Sequence, residues 1–592
     1  MRKVSFWIVT ALTLAVMLAV LELNKNTLPG FAAALLLAAV YALLFTKFVI
    51  NTRWYLRLGA WVLWVGLFVG VLFVSWPPTK AVPAVGGKNA ARTGIVTVAQ
   101  GDLRGAVTED GAVEVYAGIP YAKPPVGELR WREPEDPEPW TGVLEADKFA
   151  PMSMQPVNLP IYDSLAQIIG YHDYKISLSD NYVAPVSEDS LYLNVWKPAG
   201  EAKDLPVLVY IHGGSLQTGQ PWYGDYSGDG LARQGVVVVN MGYRLGVFGF
   251  FASDVLAAES ANFTTGNYGL LDQIKALEWV KANIAAFGGD PDNVTLAGES
   301  AGAACVSALC TSPLAKGLFR RAIMESSTVA SEVPPHSFRS LDEAKASGRE
   351  LMERHGAVTI AELRALSAKE LVNEAYTQHH ITVDGYALTE TPYESYKKGL
   401  HNEEAILHGY NSEESGPFIM FSQASLKDFE ERMRGAFGDH ADEALALYPV
   451  STDEEAKAAW AEVWGALYFD HSHYALNRLA AENGIPVYQY YFSRHNGRLG
   501  PWHSGEEIYF YGNLPEGSRL FDERDRELAR EMTAYFAAFI KTGDPNSSGL
   551  PVWNENLSCE DLMGLGDETA MTKERKLALY AIIDRLEAAS GK

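Results

Sequence analysis

The chain has 592 residues, 48% of them hydrophobic and 21% charged, enough apolar material for a large core and too little bias for disorder or a collagen repeat. Acidic residues outnumber basic ones by 73 to 49, a net charge of −24, and a surface of that sign repels a nucleic-acid backbone. Three cysteines exclude a disulfide-dense scaffold and a four-cysteine zinc site.

The charge is unevenly spread. The first 80 residues hold seven basic side chains (Arg2, Lys3, Lys25, Lys47, Arg53, Arg57, Lys80) against Glu22 alone, a surplus of six, so the remaining 512 residues carry −30. In that front end Val4–Leu21, Leu28–Thr46 and Leu58–Trp76 are uncharged apolar runs of 18, 19 and 19 residues. About 20 residues cross the hydrocarbon core of a bilayer as a helix, so three membrane-spanning helices are expected over residues 1–77. Trp54, Tyr55 and Trp76 flank the runs, where amphipathic rings favour the headgroup layer. Basic residues at the N-terminus and between the second and third runs put the N-terminus in the cytoplasm and the body on the extracytoplasmic side. A cleaved signal peptide at Val4–Leu21 would leave the body on that same side. Residues 78–92, rich in proline and glycine, read as a linker to a body at 93–592.

The body opens with Ile95–Ala99 and Val113–Tyr116 around Asp110-Gly111, a hairpin pattern. Strand-like runs follow at Leu205–Ile211, Val236–Met241, Val294–Leu296, Ala322–Met324, Ala405–Leu407 and Val487–Phe492, alternating with helical stretches. Such alternation predicts an α/β fold with a largely parallel sheet covered on both faces. Apolar residues recur at helical spacing from Leu270 to Phe287, and Gly288-Gly289 ends the run. The stretch from Ser331 to Ala405 reads as helices that interrupt the sheet and cap it. Cys305 and Cys310 fall five apart on one helix and point to different faces, so buried free thiols are expected. Neither an internal repeat nor a low-complexity segment is present.

The chemistry concentrates at Gly298-Glu299-Ser300-Ala301-Gly302, a G-x-S-x-G turn between the strand Val294–Ala297 and a small-residue helix. A serine held on a sharp turn needs neighbours without bulky side chains, and the helix behind it directs partial positive charge toward an oxyanion. Upstream, a strand runs into His212-Gly213-Gly214-Ser215, similar to the turns whose backbone amides receive an oxyanion. Both features point to acyl transfer.

From residue 93 to about 590 the chain resembles the type-B carboxylesterases, the cholinesterase-like branch of the α/β-hydrolase fold. The matching blocks include Gly118-Ile119-Pro120-Tyr121-Ala122, Glu188-Asp189-Ser190-Leu191-Tyr192-Leu193-Asn194-Val195, Tyr243-Arg244-Leu245-Gly246, Asn267-Tyr268-Gly269-Leu270-Leu271-Asp272-Gln273 and Phe287-Gly288-Gly289-Asp290-Pro291. The resemblance implies an acid in Gly409-Tyr410-Asn411-Ser412-Glu413-Glu414, with Glu414 the candidate and Glu413 its rival, and a base at His503 in an H-x-x-E block ending at Glu506. It implies an oxyanion hole of Gly214, Ser215 and Ala301, and no metal or organic cofactor. Trp222 and Tyr223 line a substrate pocket or pack in the core. His212 stabilises its turn, and neither His471–His473 nor His379–His380 completes a metal site.

Four departures from the family pattern matter. Ser215 replaces the third glycine of the oxyanion turn, Ser415 replaces the glycine after the acid, and Ser190 and Met154 stand where a disulfide is usual. No tryptophan precedes Glu188 in the place where cholinesterases bind choline, so a cholinesterase is not expected. The expected activity is hydrolysis of small-molecule esters through an acyl-enzyme on Ser300, tethered to a lipid bilayer. The alternatives are a non-catalytic cell-surface binding protein of the same fold, or a lipase or amidase. The oligomeric state is not legible.

Overall fold

The computed structural model describes residues 2–80, 84–85, 90–157, 159–166, 183–201, 203–328, 338–420, 422–556 and 558–590. Part of the expected linker, 81–83 and 86–89, lies outside them. The chain divides into two units, one of Met1–Ala81, Val157–Pro185 and Ser518–Leu520, the other comprising the rest.

In the first unit, α1 (Arg2–Leu23), α2 (Leu28–Leu44) and α3 (Trp54–Val74) follow one another. Val4–Leu23, Leu28–Val49 and Trp54–Val74 are each long and apolar enough to cross a membrane. The third helix starts four residues ahead of Leu58, because the extended backbone at Arg53 forms its N-cap and Arg57 is carried inside it. Met17, Leu21, Ala34, Ala38, Trp64 and Phe68 form the shared core, whereas Leu36 and Phe73 on the outer faces are 65% and 66% exposed. Near the ends, the Asn26 side chain donates to Leu72 O at 2.7 Å and to Ser75 Oγ at 2.8 Å. A side chain at Gly30 would collide with Ser75.

The second unit is built on a long sheet. The strands of this unit include β1 (Val96–Val98), β2 (Gly101–Arg104), β3 (Ala106–Val107), β4 (Val113–Pro120), β5 (Tyr192–Pro198), β6 (Leu205–Ile211), β7 (Val237–Met241), β8 (Gly289–Glu299), β9 (Arg321–Glu325), β10 (Ile406–Asn411), β11 (Val487–Phe492), β12 (Asp561–Leu565) and β13 (Thr569–Lys573). Among the described residues, eleven of them join in the order β13-β12-β11-β10-β9-β8-β6-β7-β5-β4-β3. The centre, β12 to β7, is parallel and the two margins are antiparallel. The strands β6 and β7, apolar in β7 except for Asn240, are buried along nearly their whole length, as expected of strands covered on both faces. The expected opening hairpin is corrected: β1 pairs with β2 in a separate small sheet, and the Asp110-Gly111 turn joins β3 to β4. Short strands with local partners at each end of a turn satisfy the backbone sooner than the longer pairing inferred from alternation alone.

Helices α4 (Tyr268–Asn283) and α5 (Ala301–Thr311) pack on the sheet, with Gly288 at φ 83° closing the run after α4. Cys305 and Cys310 lie buried and unbridged on α5, and Cys559 is also free. In the interval expected to cap the sheet, α6 (Leu341–Arg354) starts from a capping box of Ser340 and Glu343, and Phe338–Ser340 pairs with Ile381–Val383. A second helical insertion, not separated out in the sequence, fills the interval between β10 and β11: α7 (Leu426–Phe437), α8 (Asp453–Gly465), a π turn Ala466–Asp470 and α9 (His471–Asn483). It shares a core with the last helix: Phe429, Met433, Phe437 and Val463 meet Leu579, Ile582 and Ile583 of α11 (Leu577–Ser590), which comes after α10 (Glu523–Thr542).

Candidate active site

Parallel register decides where the chemistry gathers. Gly298 of β8 lies opposite Ile211 of β6, Glu299 opposite Glu325 of β9, and Asn411 of β10 opposite Phe492 of β11. The segments leaving these strands, which carry His212–Ser215, Ser300, Glu414 and His503, therefore emerge at one edge, the carboxyl ends of the strands, where open α/β sheets bind ligands.

Ser300 occupies φ 57°, ψ −124°, a conformation that is strained for a residue with a side chain. The strain is held from both sides: its amide donates to Glu325 O at 2.8 Å and its carbonyl accepts from Ala304 at 3.1 Å. The two glycines of the motif are steric necessities. A Cβ on Gly298 would overlap the backbone of Gly302, and one on Gly302 would overlap the carbonyl of Ile211. Helix α5 can thus begin directly behind the serine.

The oxyanion turn lies alongside. A Cβ built on Gly213 would stand 3.1 Å from the Ser300 Cβ and 2.7 Å from Glu299 O. Gly214, Ser215 and Leu216 come next, with φ of 99°, 55° and 58°. The Gly214 carbonyl accepts from the amides of Gln217 and Thr218, both at 3.0 Å, and Gln155 brackets Gly219 with two further bonds. Among the described residues, the amides of Gly214, Ser215 and Ala301 have no protein acceptor. Burial holds His212 down at about 4, so its ring is neutral; Nδ1 donates to Gly213 O at 2.9 Å and the ring stacks on Tyr243.

Of the two rival acids, Glu414 reaches the histidine. Its Oε2 lies 2.6 Å from His503 Nδ1, and its Oε1 accepts the Asn411 amide at 2.7 Å. Glu413 instead donates its backbone amide to Pro501 O. The glutamate of the H-x-x-E block stitches the strands beneath the site: Glu506 accepts from Ser326 at 2.9 Å, from Tyr490 at 3.1 Å and from the Asn411 side chain. Burial, followed by the charge of Glu414, pushes Glu506 up to about 7.

Sequence reasoning missed four residues here. Glu299, inside the serine motif, has Oε1 3.2 Å from His503 Nε2 and accepts the Ser504 hydroxyl at 2.7 Å. Burial, and then the neighbouring Glu507 and Glu506, raise its carboxyl well above the usual carboxylate range. Its place beside the nucleophile was the available signal. Phe418, Phe469 and Trp464 form an aromatic wall: Phe469 and Phe418 approach the His503 ring at 4.7 and 5.1 Å, and Trp464 stacks on Phe418. They come from the second insertion, and no local pattern announces them.

Trp222 stacks on Phe149, and Tyr223, half exposed, meets Tyr226 edge-on. Ser190 and Met154 face a cavity of about 10 Å3 shared with Arg130, Glu188 and Arg244. His471, Asp584 and Glu587 offer three ligand atoms within 4.8 Å of one another, a spacing that could hold a metal, and there Arg478 already supplies a cation to Asp584 at 2.7 Å.

A parallel-centred sheet, a serine on a strained strand-to-helix turn and an acid–histidine pair from later strands define an α/β hydrolase. A family model for the carboxylesterase family matches residues 92–581. The chain is 32% identical to the fumonisin B1 esterase of Sphingopyxis macrogoltabida over 86% of this chain and 94% of that protein. It is 33% identical to the para-nitrobenzyl esterase of Bacillus subtilis over 78% and 93%. The solved Geobacillus stearothermophilus carboxylesterase superposes with a TM-score of 0.70 at 32% identity, covering 82% of this chain and 99% of that one. This chain belongs to the carboxylesterase family and is a carboxylic-ester hydrolase.

Proposed function

We propose that the protein is a membrane-tethered serine carboxylesterase whose nucleophile is Ser300, whose general base and acid is His503, and whose orienting carboxylate is Glu414. The 2.6 Å contact between His503 and Glu414, at the strand edge from which Ser300 emerges, carries this reading. In its neutral form His503 takes the hydroxyl proton as Ser300 attacks the ester carbonyl, while Glu414 holds the tautomer and stabilises the imidazolium. The amides of Gly214, Ser215 and Ala301 receive the oxyanion. His503 then protonates the leaving alcohol, and water repeats the sequence on the acyl-enzyme. Ser215 donates through its backbone as glycine would, and its β-carbon narrows the space on that side.

Residues 1–77 tether the enzyme to a bilayer as a multi-pass anchor, with the N-terminus in the cytoplasm and residues 93–592 outside; the three long apolar helices and the placement of basic residues support this. Small neutral esters are the expected substrates, p-nitrophenyl and p-nitrobenzyl esters being the practical probes in view of the Bacillus relative.

The full-length protein in detergent should hydrolyse short p-nitrophenyl esters and be labelled by an organophosphonate. Ser300→Ala, folded by circular dichroism, should lose both. No turnover and no labelling in the parent protein would reject the enzymatic site and favour a binding role.

A further inference from the structure

The second insertion is not one regular helix. Between α8 and α9 the backbone widens into the π turn Ala466–Asp470, a form that adds a residue, rotates the downstream helix and recurs at functional sites. Within it Tyr468 stacks on Trp464 at 4.2 Å, and the next residue, Phe469, lies 4.7 Å from the His503 ring. The imidazole is thereby packed by Phe469 and, edge-on, by Phe418.

The last residue of the turn is tied elsewhere. The Asp470 carboxylate, 3% exposed, meets the Lys576 ammonium, 10% exposed, in the segment that enters α11. Lys576 Nζ also sits 4.8 Å over the ring of Tyr410, whose hydroxyl donates to Glu574. One residue further on, His471 Nε2 lies 2.9 Å from Asp584, which Arg478 also pairs. Burial pushes the Asp470 carboxyl up to about 7, and the charge of Lys576 offsets part of that penalty. Buried ion pairs add little net stability over apolar packing, so what this one contributes is geometry.

We infer that Lys576, acting through Asp470, is a positioning residue: it fixes the π turn so that Phe469 packs on His503, which makes the C-terminal segment part of the ester-hydrolysing site. The inference rests on His503 being the base. An imidazole held by packing keeps Nδ1 on Glu414 through the catalytic cycle, and one released from Phe469 spends time misaligned.

A kinetic double-mutant cycle on the full-length protein tests this. Lys576→Met and Phe469→Ala should each lower kcat about tenfold with KM within about twofold, and Lys576→Arg, which keeps the cation, should recover most of the rate. In the Phe469→Ala background, Lys576→Met should cost less than about twofold more, because its path of action is already gone. Titration with an organophosphonate counts competent sites, so a misfolded fraction does not enter kcat. Should Lys576→Met yield no titratable protein, the isosteric Asp470→Asn enters the same cycle with the same expectation. Additive effects in the cycle would overturn the inference. Retained activity in His503→Gln would instead overturn the base assignment, so the two failures are separable.

Discussion

Glu414→Gln removes one charge and leaves every heavy atom in place, and the hydrogen bonds around the carboxylate dictate the outcome. Oε1 accepts the Asn411 amide at 2.7 Å while Oε2 faces His503 Nδ1 at 2.6 Å. The Asn411 amide is an obligatory donor, so in glutamine the side-chain oxygen stays on it and the NH2 group turns to Nδ1. Nδ1 must then accept, the ring proton moves to Nε2, and the nitrogen that should receive the Ser300 proton is already protonated. The imidazolium also loses its counter-charge: at 2.6 Å and an effective dielectric of about 20 the attraction is roughly 6 kcal/mol. At about 1.4 kcal/mol per decade this bounds the loss near 10⁴-fold. The expected result is a fall in kcat of about 10³ to 10⁴, with KM nearly unchanged. Initial rates with a p-nitrophenyl ester, on protein whose melting temperature matches the parent, make the measurement. A kcat within tenfold of the parent would refute the reasoning, and the same loss in Glu413→Gln instead would move the role one position.

Gly302→Ala should destabilise the hydrolase unit by about 3 kcal/mol or more, since the new methyl group meets the Ile211 carbonyl at a rigid helix–strand contact; an unchanged unfolding midpoint in urea would contradict this. Acid should weaken the fold through buried histidines. Burial holds His408, bonded to Asn477, and His212 down at about 4, against an ordinary 6.5. The unfolded chain therefore binds more protons below pH 6.5, and stability present above that value is lost as pH falls toward 4, by up to about 3 kcal/mol per site. Urea denaturation from pH 7.5 to 4.5 should show that decline, with a shallower slope in His408→Gln; equal slopes would remove His408 from the account.

Much of the site was legible because its requirements are local. A serine on a strand-to-helix turn demands Gly298 and Gly302, and an oxyanion turn demands Gly214, so these appear as spaced small residues whatever surrounds them. Leu205–Ile211 and Val487–Phe492 were readable as strands because β-rich apolar runs suit a sheet interior. The opening hairpin was misread because alternation gives strand character without naming the partner. β5 escaped because its residues, Tyr192–Pro198, mix polar and apolar side chains, and β12 and β13 because they are short and marginal.

The amino-acid order alone determined an α/β body carrying a serine turn suited to acyl transfer, behind a strongly apolar, basic front end, because periodicity, run length and turn chemistry act over a few residues and survive without neighbours. The hydrolase fold itself was implied by the resemblance to the type-B carboxylesterases. The tertiary structure decided which of two adjacent glutamates meets His503 Nδ1, that Glu299 lies buried beside the same ring, and that Phe418, Phe469 and Lys576 belong to the same neighbourhood. Those relations depend on register between strands far apart in the chain, on burial, and on one π turn whose rotation no local pattern records.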